Sequence, residues 1–325
     1  MVKYLIVRFS SIGDIVLTTP VIRRLKQQVE EAEVHYLTKP QFAGILSENP
    51  YIDKILTLKD PIGETIKEVM AEEYDYLIDL HHNLRTAVVK RKTGIMAFSF
   101  NKLNFKKWLL VNLKINRMPD VHIVDRYMET VQLFDVKNDG KGLDYFIPDS
   151  QEVIPEQMHA AFKGKYMVAV VGANHATKQI PADKMINIIN HSGIPVCLVG
   201  GKDVLEQASL IEKELKVPFL NTVGNISLHQ SASFIRQASV VLTPDTGMMH
   251  IAAAFKKNIV SLWGNTVPEF GMYPYLAGDQ SKIFETKGLR CRPCSKIGYN
   301  KCPKGHFKCM QEIGVQEVVD WIQKL

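Results

Sequence analysis

Short runs of consecutive apolar residues alternate along this chain with longer segments in which apolar residues recur every three or four positions. Continuous apolar runs are typical of strands buried on both faces of a parallel sheet, and the longer segments are typical of crossover helices. The strand pattern occurs at residues 3–9, Val34–Leu37, Lys54–Leu58, Tyr76–Leu80, Ile95–Phe98, Tyr166–Val171, Val196–Gly201, Ser239–Leu242 and Ile259–Leu262. The chain is therefore predicted to be an α/β protein.

A linker separates the two series of strands. Residues 137–151 are rich in Gly, Asn, Asp and Pro, and 325 residues are more than one hydrophobic core usually needs. We therefore expect two Rossmann-like domains, residues 1–155 and 156–325, the second ending in a C-terminal helix. No apolar run approaches the roughly 18 residues of a spanning helix, and the start lacks signal-peptide features, so we expect a cytoplasmic protein.

The segment from Asp245 to His250 follows a predicted strand and precedes an apolar helical pattern. A helix start carries unpaired amide groups and a positive dipole end, so Thr246 and Gly247 suit a phosphate. His250 lies one turn later on the same helical face, and Asp245 suits ligand hydroxyls because a carboxylate repels phosphate. The alternative is that Asp245 and Thr246 only cap a buried helix, with His250 as a structural histidine.

A second segment of this kind lies near the amino terminus. The apolar run Tyr4–Val7 is followed by the polar loop Ser10–Asp14 and then by a helical pattern. Thr19 is predicted to cap a regular helix that has Pro20 at its first position, with residues 12–18 forming a shorter turn. Asp14 should then lie at the carboxyl end of a strand, either as a functional carboxylate or as a helix cap.

Three segments together carry a family resemblance. Lys3–Asp14, Ile78–Arg85 and Thr243–His250 resemble, in order and separation, the bacterial glycosyltransferases of family 9, which include the ADP-heptose:lipopolysaccharide heptosyltransferases. The resemblance implies a GT-B fold, in which two Rossmann-like domains with parallel sheets face a central cleft. It also implies that the first domain binds the acceptor and the second binds the nucleotide sugar.

The resemblance further implies the reaction. It is inverting transfer of heptose from ADP-L-glycero-D-manno-heptose to a lipid A-linked inner-core acceptor of lipopolysaccharide or lipooligosaccharide, at the inner membrane. Asp14 matches the family's Ser-x-Gly-Asp motif and becomes the general base, and a partly desolvated cleft is expected to raise its proton affinity. No cofactor is expected to be required, and no carboxylate pair for a catalytic magnesium ion is evident.

The donor is expected to be held by residues of the second domain. Thr177 and Lys178 match the family's donor-binding pair, and Lys178 is predicted to neutralise the departing diphosphate as a catalytic residue. Ile180 stands where relatives usually have a large aromatic residue, which leaves the packing of the sugar open. The predicted donor-binding residues are Thr177, Lys178, Gly200, Gly201, Glu206, Ile226, Asp245, Thr246, Gly247 and His250.

The acceptor is expected to be held by residues of the first domain. Arg85 follows a strand and offers a guanidinium for phosphate, and the adjacent His81 and His82 are not expected to share a metal. The predicted acceptor-binding residues are Ser11, Gly13, His81, Asn83, Arg85, His122 and Arg126. Lysines interleave with Phe105, Trp108 and Leu109, which suits either an anionic membrane surface or a solvated helix face; they are Lys102, Lys106, Lys107 and Lys114.

Four cysteines lie close together near the C-terminus. Their spacing fits no standard zinc finger, which leaves three interpretations open: a structural zinc ion, a redox pair or unligated packing. The cluster consists of Cys291, Cys294, Cys302 and Cys309, with His306 between the last two. Cys197 lies apart in an apolar strand and is predicted to be core.

Charge and motif content bear on the competing functions. A net charge of +6 suggests an anionic partner without selecting one. An oxidoreductase is disfavoured because Ser10–Asp14 is not a Gly-x-Gly-x-x-Gly turn. A related transferase with another nucleotide sugar and a zinc-stabilised nucleic-acid-binding protein remain as alternatives, although no nucleic-acid partner is expected.

Overall fold

The computed structural model describes all residues from Met1 to Leu325, and they divide into two compact units. The first unit comprises Met1–Leu103 and Val121–Phe146, and the second comprises Asn104–Asp120 and Ile147–Leu325. The division therefore follows Phe146 rather than residue 155. It also assigns a short segment from the first half of the chain to the second unit.

That short segment packs through its own apolar side chains. Leu110 is buried together with Val267 and Phe270 of the second unit, and Val111 and Met118 pack against them. Burial of these side chains stabilises the position of the segment by the hydrophobic effect. Proximity in sequence therefore does not decide which unit the segment joins.

The first unit contains a parallel sheet in the order β3-β2-β1-β4-β5. Its strands are β1 (Val2–Val7), β2 (Ala32–Thr38), β3 (Lys54–Thr57), β4 (Tyr76–Asp79) and β5 (Met96–Ser99). Each of them overlaps a predicted strand. The central strand β1 is the most apolar, and Leu5, Val7 and Leu77 lie in the core of this unit.

The second unit contains a parallel sheet in the order β11-β10-β9-β6-β7-β8. Its strands are β6 (Met167–Val170), β7 (Val196–Val199), β8 (Phe219–Asn221), β9 (Val240–Pro244), β10 (Asn258–Trp263) and β11 (Lys282–Glu285). The edge strands β8 and β11 were not predicted. Both are only partly buried and lack a continuous apolar run, because an edge strand has a neighbour on one side only.

Helices connect the strands of both sheets, as the parallel order requires. In chain order they are α1 (Ile12–Val16), α2 (Thr19–Gln28), α3 (Ile62–Ala71), α4 (Leu84–Thr93), α5 (Asn104–Trp108), α6 (Ile123–Met128), α7 (Pro155–Met158), α8 (Ala182–Ser192), α9 (Leu205–Glu212), α10 (Leu228–Gln237), α11 (Gly247–Ala254), α12 (Lys308–Gln311) and α13 (Val315–Lys324). None of these helices has the length and apolar character needed to cross a membrane.

The start of α2 differs by one residue from the prediction. Thr19 is the first helical residue rather than the cap, and Thr18 occupies the capping position. The Thr19 hydroxyl donates to the carbonyl of Val16 at 2.8 Å, which ties the start of α2 to the end of α1. Residues 12–16 form the short helix expected before it.

Candidate functional site

Asp14 of the first unit lies in the first turn of α1, just beyond the carboxyl end of β1. Its Oδ2 accepts hydrogen bonds from the Ser11 amide at 3.2 Å and from the Ser11 hydroxyl at 2.8 Å. Its Oδ1 forms an ion pair with the guanidinium of Arg8 at 2.7 Å. Ser11 is the N-cap of α1 and Asp14 is its N3 partner in a capping box, and the Asp14 carboxylate is also held in one orientation by a buried cation.

Arg8 was not among the predicted site residues. It is 8% exposed, and its guanidinium donates to the Leu80 carbonyl at 2.6 Å and to the Tyr127 hydroxyl at 3.0 Å. Burial has the largest single effect on the pKa of Arg8 and lowers it, but Asp14, Tyr127 and Tyr36 together outweigh burial, and the net pKa is raised. One sequence signal could have identified Arg8 as a site residue. It is a cation that lies directly after a buried strand and six residues before Asp14.

The contacts of Asp14 orient its carboxylate. Arg8 and the two donors of Ser11 all bind its oxygens. The expectation that a desolvated cleft raises the proton affinity of Asp14 stays a prediction.

His81 lies near this carboxylate in the first unit. Its ring contacts Phe9, with 5.1 Å between the ring centroids. Burial, followed by the positive charges of Arg8 and Lys102, lowers the pKa of His81 to about 4. His81 is therefore neutral near pH 7 and is available as a hydrogen-bonding group rather than as a cation.

The other predicted acceptor-binding residues have mixed positions. Ser11 and Arg85 are exposed, Gly13 is buried in α1, and Asn83 caps α4 by accepting from the Thr86 amide at 3.0 Å. His122 and Arg126 are both buried, and the His122 ring caps α6 by accepting from the Val124 amide at 3.1 Å. Burial also lowers the pKa of Arg126. Their acceptor-binding roles remain predictions.

Two other segments of the second unit converge on Asp245. Lys178, in the short 3-10 turn after β6, places its ammonium 2.6 Å from Asp245 Oδ2. The Thr266 hydroxyl donates to the same oxygen at 2.8 Å. An ammonium carries three donors, so its bond to Asp245 leaves two for a phosphate.

The start of α11 lies directly after this carboxylate. Thr246 occupies the capping position without a side-chain capping bond, and Gly247 is the first helical residue. Thr246 is therefore the N-cap of α11 by position, without a side-chain hydrogen bond to the helix. His250 is buried one turn into the helix. The amide groups of this helix start and the Lys178 ammonium are the features that suit a diphosphate.

The remaining predicted donor residues lie on other segments of the same unit. A side chain at Gly200 would place its Cβ 2.7 Å from the Val171 carbonyl oxygen, so this position requires glycine. At Gly201 the nearest atom belongs to the flexible Asp203 side chain. Glu206 is exposed in α9, and Ile226 is half-buried just before α10. Their contacts with a donor remain predictions.

A long loop supports the turn that carries Lys178. Residues 286–307 connect β11 to α12, and we call them the cysteine loop. Thr177 accepts from the Tyr299 amide at 2.8 Å through its hydroxyl and donates to the Tyr299 carbonyl at 3.1 Å through its amide. Arg292 donates to the carbonyls of Gly264 and Thr266, both at 2.7 Å. Nothing in the local sequence of Thr177 indicates these distant partners.

The cysteines of this region are near one another. All are free thiols, and no three His, Cys, Asp or Glu side chains are arranged to hold a metal ion. Burial and neighbouring thiols raise the pKa of Cys309 to about 12; the contributing thiols are those of Cys294, Cys302 and Cys291. Cys197 is buried in β7, as predicted.

Comparison with known proteins decides the class of this site. Residues 62–302 match the family model of glycosyltransferase family 9 (heptosyltransferase), which is more than half of the chain. The chain belongs to glycosyltransferase family 9. The predicted family is confirmed, and the protein is a glycosyltransferase.

Relatives of this family 9 glycosyltransferase extend over most of its length. Lipopolysaccharide heptosyltransferase 1 of Campylobacter coli is 24% identical over 293 residues, covering 81% of this chain and 84% of the relative. The structure of the glycosyl transferase family 9 protein from Veillonella parvula DSM 2008 aligns with a TM-score of 0.79 at 18% identity, covering 99% and 98% of the two chains. The structure of Escherichia coli ADP-heptose lps heptosyltransferase II aligns with a TM-score of 0.72 at 18% identity, again covering 99% and 98% of the two chains.

These structural matches concern the fold. Together with the two parallel sheets of this family 9 glycosyltransferase, they confirm the predicted α/β GT-B fold. The oxidoreductase and nucleic-acid-binding alternatives have no support from the family assignment. The donor sugar, the acceptor and the stereochemistry are matters of proposal.

Proposed function

We propose that this protein transfers heptose, with inversion, from ADP-L-glycero-D-manno-heptose to a lipid A-linked inner-core acceptor of lipopolysaccharide or lipooligosaccharide. The names of the relatives support both the donor and the acceptor class. The observation on which the proposal chiefly depends is the pairing of Lys178 with Asp245 at the start of α11.

The predicted donor-binding residues of the second unit suit a sugar linked to a diphosphate. The leaving ADP gains negative charge as the bond to the sugar breaks, and Lys178 with the amides of α11 stabilises that charge. Asp245 keeps the ammonium oriented before the donor binds. Its carboxylate also accepts hydrogen bonds from hydroxyl groups, which a sugar provides and a phosphate does not.

Asp14 of the first unit supplies the base. Arg8 orients its carboxylate, which accepts the proton of the attacking hydroxyl as the new glycosidic bond forms. Attack on the face of the sugar opposite to ADP gives inversion. The bond between the sugar and ADP breaks in the same step, and ADP leaves with the electron pair.

The acceptor also suggests where the enzyme works. Phe105 and Trp108 of α5 are exposed, and their rings are stacked with 6.4 Å between centroids. Lys106 and Lys107 lie on the same short helix. We include in the proposal that this basic and aromatic surface rests on the anionic cytoplasmic face of the inner membrane, where a lipid-linked acceptor is found.

A donor panel tests the proposed function. The purified protein is incubated with a truncated lipopolysaccharide that lacks heptose and with ADP-heptose, ADP-glucose or UDP-glucose. We expect nucleotide release and a heptose-sized mass increase of the acceptor with ADP-heptose only, and NMR of the product should show the inverted anomeric centre. Faster turnover with another nucleotide sugar would instead support the related-transferase alternative.

A further inference from the structure

Two segments of the second unit lie side by side. One is residues 104–120, which contain α5, and the other is the cysteine loop. The Lys114 ammonium donates to the carbonyl of Pro293 at 2.6 Å, which joins the two segments directly. Apolar side chains of the first segment and the Arg292 guanidinium of the loop both bind residues 264–270. The two segments therefore form one combined surface of the second unit.

Positive charge is concentrated on this combined surface. Residues 104–120 contain four Lys or Arg and one Asp, and the cysteine loop contains six Lys or Arg and no acidic residue. The two segments thus carry +9 in a chain whose net charge is +6, so the other 286 residues together carry −3. Arg292 pairs with Glu285, whereas the other cations of the loop form no ion pair. A positive surface on an otherwise slightly acidic protein indicates an anionic partner.

The same surface carries all the exposed aromatic side chains of the chain. They are Phe105, Trp108 and Tyr299, and every other Phe, Trp or Tyr is buried or half-buried. Exposed aliphatic side chains accompany them, namely Leu113, Ile115 and Ile297. Exposed aromatic and aliphatic groups among cations are typical of a surface that enters the interface of an anionic bilayer.

Nucleic acid is the other polyanion that basic and aromatic surfaces bind. Bases stack on aromatic rings in such complexes, and the phosphate backbone tracks along a basic groove. Exposed aliphatic side chains gain little there, whereas Ile297 is removed from water when it enters hydrocarbon. A lipid-linked acceptor is also presented by a membrane, so our choice of partner rests on the proposed function.

We propose that the cysteine loop binds an anionic phospholipid bilayer together with residues 104–120, as the second half of the surface that begins at α5. The loop cations contact lipid phosphate groups, and the side chains of Ile297 and Tyr299 enter the boundary between head groups and acyl chains. The loop has 22 residues without a helix or strand, and loops of this length in compact domains are usually functional or disordered.

Docking of the loop would also steady the donor site, a step that depends on the proposed function. The main chain of Tyr299 accepts from the Thr177 amide at 3.1 Å and donates to the Thr177 hydroxyl at 2.8 Å. A bilayer that restrains Tyr299 therefore restrains the turn that carries Lys178, and less conformational freedom is lost when ADP binds. We expect the affinity for ADP to rise about fivefold on anionic vesicles, the lower end of usual couplings.

Sedimentation of the full chain with phospholipid vesicles is the direct test. We expect binding to vesicles of phosphatidylglycerol and phosphatidylcholine, little binding to phosphatidylcholine alone, and weaker binding in high salt. The loop variant Lys296→Glu/Lys301→Glu/Lys304→Glu should bind about 100-fold more weakly, because each cation near an anionic surface strengthens binding about fivefold. Wild-type binding in the loop variant would overturn the role of the loop.

A matched control separates the loop from the net charge. Lys163→Glu/Lys165→Glu/Lys213→Glu changes the charge equally at exposed positions elsewhere in the second unit and should bind like the wild type. Equal losses in the control and the loop variant would overturn the assignment of a specific surface. Ile297→Trp should add blue-shifted emission to that of the wild type on anionic vesicles. Unshifted added emission would overturn the insertion of the loop.

The remaining outcomes distinguish this inference from the proposed function. The vesicles contain no lipopolysaccharide and no nucleotide sugar, so their binding does not depend on sugar transfer. Loss of binding in Phe105→Ser/Trp108→Ser but not in the loop variant would leave the membrane contact of α5 and overturn the part assigned to the cysteine loop.

Two further measurements test the partner and the link to the donor site. Tighter binding to a single-stranded oligonucleotide than to vesicles, weakened by the same loop substitutions, would overturn the membrane as the partner. If anionic vesicles bind but leave the affinity for ADP unchanged, the surface stands and its link to the donor site is wrong.

Discussion

The two polar sites of this protein differ in where the direct partners of their key side chains lie in the sequence. The Asp14 carboxylate contacts Ser11 and Arg8, both within six residues, although Arg8 is itself held by Leu80 and Tyr127. Lys178 depends on Asp245, and its turn depends on Tyr299 and the segment around Thr266. We call the first the local site and the second the long-range site. The long-range site should be more sensitive to changes far from the chemistry.

The largest expected effect concerns the local site. Asp14→Asn keeps the size of the side chain but removes the proton acceptor, so the transfer rate should fall about 10²- to 10⁴-fold. ADP affinity, measured by calorimetry, should change little because ADP is proposed to bind the second unit. The exposed Asp60→Asn serves as the matched control. Full activity of Asp14→Asn would remove Asp14 from the role of base.

The next effect concerns the long-range site. Lys178→Ala removes a charged donor and should weaken ADP binding roughly 10- to 100-fold, because a hydrogen bond to a charged group contributes about 1.5–3 kcal/mol. Adding Asp245→Asn should restore part of the affinity, since the unpaired carboxylate otherwise repels the diphosphate. The exposed Lys213→Ala should have no effect. Unchanged affinity in Lys178→Ala would separate this lysine from the diphosphate.

The contact between the turn and the cysteine loop gives a smaller effect. Thr177→Val keeps the shape but removes the buried hydroxyl that bonds Tyr299, leaving the Tyr299 amide without that acceptor. The free energy of unfolding, measured by denaturant titration, should fall by about 0.5–1.5 kcal/mol. Thr177→Ser keeps the hydroxyl and is the matched control. Equal losses in the two variants would show that the methyl group, and not the hydrogen bond, stabilises the turn.

The last effect is a pH dependence of stability near Asp14. The folded-state pKa of His81 is lowered from 6.5 to about 4 by burial and by Arg8, with Lys102 adding to this and Asp14 and Asp79 opposing it. The unfolded chain then binds a proton at higher pH than the folded one. Stability should therefore decrease as the pH falls from 6.5 towards 4.

Substitution of the ring tests this assignment. In His81→Gln the decrease over that pH range should be smaller than in the wild type, as measured by denaturant titration at several pH values. His191→Gln, which changes an exposed ring, should leave the wild-type slope intact. A wild-type slope in His81→Gln would show that another group titrates.

The sequence predicts much of the fold because buried parallel strands are continuous apolar runs. Each strand of the first sheet was found, whereas β8 and β11 were missed because edge strands carry a weaker pattern. The loop and the short helix that contain Asp14 could also be predicted from the residues next to them in the sequence. Arg8 was overlooked, although its position after a buried strand was a usable signal.

The second site was predicted only in part, for a physical reason. Lys178 and Asp245 were each assigned to the donor, and the structure joins them at 2.6 Å. Their support comes from Tyr299, Arg292 and Thr266, which follow Lys178 by dozens of residues or more. Such contacts are decided by how loops pack in the folded chain, and no spacing rule along the sequence specifies them.

The segment containing Leu110 has a practical consequence. The backbone passes between the units at residues 103–104, 120–121 and 146–147. A fragment beginning at Ile147 would lack Leu110 and expose Val267 and Phe270 to water, which favours aggregation. One proteolytic cut or one cloning boundary therefore cannot yield two intact halves, and a complete second half requires residues 104–120 to be grafted back onto it.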